Sequence, residues 1–274
     1  MVWLSGSRIE IIHERVARGH IRHALFDFDG TLSLIREGWQ QVMAPLMLEI
    51  LSGAPCHEQE TILAAVVQEY IDRTTGIQTI YQMMGLADMV RERGGEPLEP
   101  GAYKAEYLTR LWHHIAHRVQ GIKSGTLARE AFLLPGAEAF LGALRRHDIA
   151  CYLASGTDVA FVRDEATALG LTHYFRAIHG ALDNLEAYSK AQVIADILSA
   201  HGLKGNALVT FGDGFVEIEN TVAAGGLAVG VASDERNPGG VDAWKRERLI
   251  RAGAQLIIPD FMEWPILLDY LMGA

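Results

Sequence analysis

At 274 residues, 49% apolar and 21% charged, with 28 Gly and 8 Pro, the chain is long enough for one large domain or two unequal ones, and no long disordered or collagenous stretch fits this composition. The 24 basic and 34 acidic side chains give a net charge of −10, which opposes generic binding to nucleic-acid phosphates or anionic lipid, although a bound metal can reverse the potential inside one cleft. Cys56 and Cys151 are too few for a disulfide framework and form no CxxC pair, the N-terminus lacks a basic stretch followed by an apolar one, and no apolar run reaches the roughly 18 residues of a spanning helix. The expectation is a soluble, cytoplasmic protein with neither nucleic acid nor membrane as partner.

Residues 1–20 carry no clear pattern. The first strong element is His23–Phe28, an apolar run ending abruptly in Asp29-Gly30-Thr31, as a buried strand entering a tight turn would. Similar short runs recur at Ile149–Ala154, Ala207–Phe211, Leu227–Val231 and Leu256–Ile258. Between or beside them lie helical patterns at Ala137–Arg146, Val159–Leu169, Lys190–His201, Val216–Ala224 and Val241–Ala252. Such alternation predicts an α/β fold with a parallel sheet covered on both faces. About 120 residues separate the first strand from the second, far more than a crossover helix requires. Apolar stripes through Val42–Leu51 (interrupted by Pro45), Ile62–Ile71, Ile77–Met84 and Tyr103–Ile115 make this stretch helical, a small domain at 34–131 inserted into a sheet domain formed by 1–33 and 132–274. Gly38, Gly121 and Gly125 are candidate joints.

Asp27 and Asp29 leave the chain on the same side at a strand end, the edge where open α/β sheets bind ligands. Phe26 and Phe28 partly desolvate them. Two such carboxylates 4 Å apart repel by about 4 kcal/mol at an effective dielectric near 20, so both remain ionised only beside a cation. Mg²⁺, which prefers hard oxygen ligands, is the natural candidate, and Asp213 and Glu217 follow another predicted strand. Leu153-Ala154-Ser155-Gly156-Thr157 closes a strand and opens a helix, offering a hydroxyl and backbone amides to an anion; a GxSxG elbow is excluded because Leu153 stands where Gly is required. Lys190 starts a helix, where the dipole disfavours a cation unless something else holds it.

DFDGT at 27–31, ASGT at 154–157, the isolated Lys190 and GDGFVE at 212–217 resemble, in order and spacing, the four motifs of the haloacid dehalogenase superfamily, with the insert at the place of its helical C1 cap. The resemblance implies a Rossmann-like core, a mobile cap closing over the sheet edge, and Mg²⁺-dependent hydrolysis of a small phosphorylated metabolite. It casts Asp27 as nucleophile and Asp29 as general acid and base, with Thr31, Ser155, Gly156 and Lys190 on the phosphate and Asp27, Asp29, Asp213 and Glu217 around the metal. Glu217 stands where relatives commonly carry a second Asp, and Gly214 where many carry a small hydroxyl residue. The acid Asp29 favours a phosphatase over a dehalogenase, because a departing halide needs no proton, and phosphonatase-like members usually carry Ala there. A phosphomutase of the β-phosphoglucomutase type shares these residues, and a catalytically silent phosphometabolite-binding module could retain them.

Other features read as ordinary structure. His113, His114 and His117 include an i, i+4 pair without a supporting Glu or Cys. Met43, Met47, Met83 and Met84 read as packing, and Asp234-Glu235-Arg236 as a solvated loop. Arg36, Trp39, Arg73, Thr75 and Lys123 are candidate substrate contacts.

Overall fold

The computed structural model describes residues 2–13, 18–182 and 189–273. Two compact units emerge, one of residues 38–121 and one of residues 1–37 with 122–274. The helical unit is thus narrower than the 34–131 read from the sequence, since 34–37 and 122–131 group with the sheet.

The sheet unit opens with two short strands, β1 (Val2–Trp3) and β2 (Glu10–Ile11), then the fully buried β3 (His23–Phe26). After the helical insertion come α5 (Ala137–Arg146), β4 (Ala150–Asp158), α6 (Val159–Ala168), β5 (Phe175–Ala181) and α7 (Lys190–Ala200). The chain then runs through β6 (Leu208–Gly212), α8 (Phe215–Ala223), β7 (Leu227–Val231), α9 (Ala243–Arg251), β8 (Leu256–Ile258) and α10 (Trp264–Met272). The strand order is β1-β2-β8-β7-β6-β3-β4-β5; neighbours from β8 to β5 pair parallel, and β1 and β2 are antiparallel additions. The α/β reading therefore holds, with a mostly parallel sheet of Rossmann-like type.

Three strands and one helix were not legible in the sequence. β5 is an edge strand bearing Arg176 and His179 and is only half-buried, so it lacks the continuous apolar run of the inner strands. β1 and β2 are two residues each, too short for a periodicity. They are fixed by side-chain pairing: Arg246 bonds the buried Glu10 at 2.6 Å, and Arg8 bonds Asp260 at 3.1 Å and Glu263 at 3.0 Å. In α10 the sequence WPILLDYLM is apolar nearly all round, so it shows little helical stripe, and Pro in its first turn starts the helix.

β3 lies between β4 and β6, with chain connections leaving to opposite sides, which makes its carboxyl end the switch point of the sheet. Phe26 stacks on Phe211 of β6 with ring centroids 4.8 Å apart. Phe140 packs against Phe211 at 5.2 Å and Phe261 at 5.3 Å. This aromatic cluster includes the last residue of β3 and the penultimate residue of β6, so it packs the two strand ends that lead into Asp27 and Asp213.

The helical unit contains α1 (Gln40–Ser52), α2 (Glu60–Thr74), α3 (Thr79–Glu92) and most of α4 (Pro100–Ser124). Leu46, Leu63, Val67, Met83, Leu86 and Leu111 are among its buried side chains, the i, i+3/i+4 faces expected. Pro45 does not end α1: it lies inside the helix, in its second turn, and removes one backbone hydrogen bond there. Met43, Met47 and Met83 pack as expected, whereas Met84 is exposed. Among the described residues no helix is long and apolar enough to cross a membrane.

Candidate active site

The register of the central strands assembles the site. Phe26 pairs with both Leu153 and Phe211, so the next positions, Asp27, Ala154 and Gly212, end level at the carboxyl edge. The Asp27 N–H donates to the Phe211 carbonyl at 2.9 Å, extending the ladder one step, and the Asp27 Oδ1 accepts the Phe28 N–H at 2.9 Å. Ser155 and Asp213 each lie one residue further on. Asp27, Asp213 and Glu217 bring carboxylate oxygens within 4.8 Å of one another, and they are the one group with metal-ligand geometry among the described residues. The histidines at 113, 114 and 117 form no such group.

Two buried ammonium groups divide this acidic cluster. Lys190, in the first turn of α7, places Nζ 3.0 Å from the Asp27 Oδ2 and 2.8 Å from the Glu217 Oε2. Lys245, in the first turn of α9, places Nζ 2.8 Å from the Asp213 Oδ2, 2.7 Å from the Glu235 Oε1 and 3.3 Å from the Ser233 Oγ. Each lysine therefore bridges two carboxylates. Burial pushes the Asp27 carboxyl well above the usual carboxylate range, with Lys190 opposing that rise. Burial acts in the same direction on Glu235, against Lys245. Burial would lower the Lys245 ammonium, yet Asp213 and Glu235 outweigh it and hold it above its ordinary value.

Asp29 is set apart from this pairing. Its Oδ2 accepts from the Thr157 hydroxyl at 2.9 Å and from the Ser155 hydroxyl at 3.4 Å, while its Oδ1 lies 3.7 Å from the Arg36 Nε. Arg36 is itself buried and anchored by Glu165 of α6 at 2.7 Å. Burial raises the Asp29 carboxyl to about 6, with Arg36 holding it down and Glu165 pushing it up. Two carboxyl groups two residues apart thus have different surroundings: Asp27 faces an ammonium, and Asp29 faces hydroxyls and a shared guanidinium. That separation suits one nucleophile and one proton carrier.

Glycines make the close approaches possible. Gly30 has φ +71°, and a Cβ there would overlap the Asp213 Oδ2 and come within 3.0 Å of the Glu235 Oε1. A Cβ on Gly212 would overlap the Glu217 carboxylate, whose Oε1 accepts the Gly214 N–H at 2.7 Å. The longer Glu217 side chain is thereby folded back against its own helix start, its carboxylate accepting the Gly214 N–H.

Residues 21–225, most of the chain, match the family described as hydrolase, haloacid dehalogenase-like hydrolase. The chain belongs to the haloacid dehalogenase-like hydrolases. No curated protein matches it. Among solved structures it resembles a predicted phosphoglycolate phosphatase from Haemophilus somnus 129PT, with 16% identity, a TM-score of 0.58, and 91% of this chain and 98% of that one covered. It also resembles a haloacid dehalogenase-like protein of unknown function, ATU0790, from Agrobacterium tumefaciens, with 19% identity, a TM-score of 0.60, and 92% and 99% coverage. A β-phosphoglucomutase from Clostridium difficile shows 14% identity, a TM-score of 0.60, and 92% and 99% coverage. At these identities the likeness is one of fold.

Within this haloacid dehalogenase-like site, Asp27, Asp29, Ser155, Lys190, Asp213 and Glu217 come together at the sheet edge. Gly156 lies between Ser155 and Thr157, and Thr31 is buried with its hydroxyl unpartnered among the described residues. ASGT does not open a helix directly: β4 pairs irregularly through to Asp158, and α6 begins at Val159. The reason is a register shift between Ala154 and Asp158, which lifts Ser155 and Thr157 toward Asp29. Glu235 is no solvated loop residue, since its side chain is only 15% exposed and faces Lys245. Lys123 pairs with Asp164 at 2.6 Å. In the sequence Lys245 is masked because WKRERLIR reads as a charged solvent face; the signal it shares with Lys190 is a lysine in a helix's first turn, where the dipole repels it.

Proposed function

We propose that this hydrolase is a Mg²⁺-dependent phosphatase acting on a small phosphate monoester through an aspartyl phosphate on Asp27. The observation carrying this reading is the buried Asp27 carboxylate, 3.0 Å from Lys190 and in one oxygen cluster with Asp213, all at the switch point of the sheet. The donor set is entirely hard carboxylate oxygen with neither His nor Cys, which fits Mg²⁺ and disfavours softer metals. Asp27, Asp213 and the Asp29 backbone carbonyl would hold the ion, with Glu217 acting on it through Lys190 as well as lying within reach. The bound ion supplies charge neutralisation between two anions that must meet.

Asp27 forms a bond from a carboxylate oxygen to phosphorus as the ester P–O bond breaks. Asp29, whose carboxyl is raised to about 6, gives its proton to the leaving oxygen. It then takes a proton from the water that attacks phosphorus, releasing phosphate and restoring Asp27. Lys190, Ser155, the unpartnered Thr31 hydroxyl and the amide at Gly156 bind phosphoryl oxygens. The helical unit is inserted into the chain just after the loop bearing Asp27 and Asp29.

The test is release of phosphate from an aryl phosphate with Mg²⁺, followed by a panel of phosphorylated sugars, nucleotides and short acids. Turnover by the natural chain and its loss in Asp27→Asn are expected; undiminished turnover in that variant rejects the role of Asp27. A mutase uses the same residues, so isomerisation of a sugar phosphate without phosphate release would replace hydrolysis by transfer of the phosphoryl group from Asp27 to a second substrate hydroxyl. Binding without either reaction would replace both by a sensing role.

A further inference from the structure

We infer that Lys245 is an internal cation that limits the acidic cluster to one small divalent ion, by occupying the Asp213–Glu235 side that a second or larger ion would otherwise take. The inference rests on the metal-dependent reading above.

Its basis is the symmetry of the charge pairing. Lys190 joins Asp27 to Glu217, and Lys245 joins Asp213 to Glu235. These four carboxylates and two ammonium groups leave two negative charges, which one divalent ion neutralises. The Lys245 side chain is 7% exposed, and its three donors have three oxygen partners, Asp213, Glu235 and Ser233. That saturates an ammonium group, which has three N–H donors and no acceptor. Ser233 is fixed in turn, its hydroxyl donating to the Gly30 carbonyl at 2.6 Å. The backbone of Gly30 lies against the same Asp213 and Glu235 oxygens. The ammonium is therefore held from the loop after β7 and from Asp213 just past β6, and Ser233 ties that loop to the one carrying Asp29.

Charge and coordination make the same demand. Mg²⁺ keeps several waters and needs only one or two carboxylates, so it is satisfied with one oxygen of Asp213 and with Asp27. Ca²⁺ takes six to eight oxygens and accepts two-oxygen ligation by a carboxylate. Release of the Asp213 Oδ2 and of Glu235 from Lys245 would supply those additional oxygens and one more uncompensated charge. A metal-orienting partner alone would also hold Asp213, but it would not need a second buried carboxylate on the same ammonium.

The experiment is equilibrium titration of the full chain with Mn²⁺, Mg²⁺ and Ca²⁺, followed by calorimetry and by the paramagnetic signal of free Mn²⁺. Lys245→Met is expected to raise Ca²⁺ affinity at least tenfold relative to Mg²⁺, or to bind a second Mn²⁺. The double variant Lys245→Met/Glu235→Gln, which removes the ammonium and one carboxylate together, is expected to return to one ion and the natural preference. Glu235→Gln alone, with Lys245 retained, is expected to weaken divalent binding about tenfold, and it provides the test should Lys245→Met not fold. Unchanged stoichiometry and Ca²⁺/Mg²⁺ preference in the single lysine variant, equal weakening of both ions, or undiminished binding by Glu235→Gln would overturn the inference while leaving the phosphatase reading intact. A natural chain that takes up no divalent ion would defeat both.

Discussion

Replacing Arg36 changes the proton carrier without touching the nucleophile. The Arg36 Nε lies 3.7 Å from the Asp29 Oδ1. At an effective dielectric near 20, a unit charge pair at that distance interacts by about 4 kcal/mol. Two features reduce this: the Asp29 side chain is 25% exposed, and the guanidinium is shared with Glu165 at the shorter distance of 2.7 Å. About a third of the contact value leaves roughly 1.4 kcal/mol, or about one pKa unit. Arg36 favours the ionised carboxylate, so its removal moves Asp29 upward, from about 6 to about 7. As an acid, Asp29 must be protonated when the leaving oxygen departs, so kcat/KM falls as pH rises through its pKa. The falling limb of the kcat/KM profile for an aryl phosphate, at saturating Mg²⁺, should shift by about one pH unit toward alkali in Arg36→Met. Arg36→Lys, which keeps the charge, should leave the limb near its natural position. Arg36→Met/Glu165→Gln avoids a lone buried carboxylate and should shift the limb the same way by less, since Glu165 itself raises Asp29. A limb that stays in place in both methionine variants, or moves toward acid, would refute the assignment of Asp29 and Arg36.

Two further perturbations read other parts of the structure. His23, at the opposite end of β3, lies tilted against His201 with ring centroids 4.6 Å apart, and its buried Nδ1 has no hydrogen-bond partner among the described residues. Burial, with His201 and Arg176, lowers its pKa from 6.5 to about 4, so the unfolded chain takes up a proton before the folded one. Stability should therefore fall as pH drops from about 6.5 to about 4, by about 3 kcal/mol at most, and level off below. Urea denaturation of His23→Phe should show that slope reduced by one proton, and an identical slope would exclude the burial argument. Gly30→Ala forces a Cβ onto the Asp213 Oδ2 at a positive φ, with a backbone cost of about 1–2 kcal/mol. Thermal melts with and without Mg²⁺ should show a less stable protein and a smaller ligand-induced shift; a shift equal to that of the natural chain would contradict the crowding inferred at this loop.

The legibility of this molecule in its sequence followed burial. Inner strands such as Leu208–Gly212 are apolar along their length and bounded by Gly or Asp, so they stand out, whereas the edge strand Phe175–Ala181 mixes Arg176 and His179 into its run and does not. Asp27, Asp29, Ser155, Lys190 and Asp213 were legible because each ends a strand or starts a helix, positions the sheet brings to one edge. Glu235 and Lys245 were hidden for the opposite reason. They lie in stretches rich in exposed charge, and only the fold shows that these two side chains turn inward while Arg236 and Glu247 do not. Arg36 stood among several indistinguishable candidates until its buried bonds to Glu165 singled it out. Side-chain pairing across 129 residues of chain has no local periodicity from which to read it.

The most direct measurement of the central chemistry is rapid-quench mass spectrometry of the full chain mixed with an aryl phosphate and Mg²⁺, with the modified peptide sequenced. A single phosphoryl group on Asp27, formed and lost within one turnover and absent from Asp27→Asn, is the predicted result. Phosphate release with the label on Ser155 or another side chain, or with single-turnover kinetics showing no covalent species at all, would contradict nucleophilic attack by Asp27.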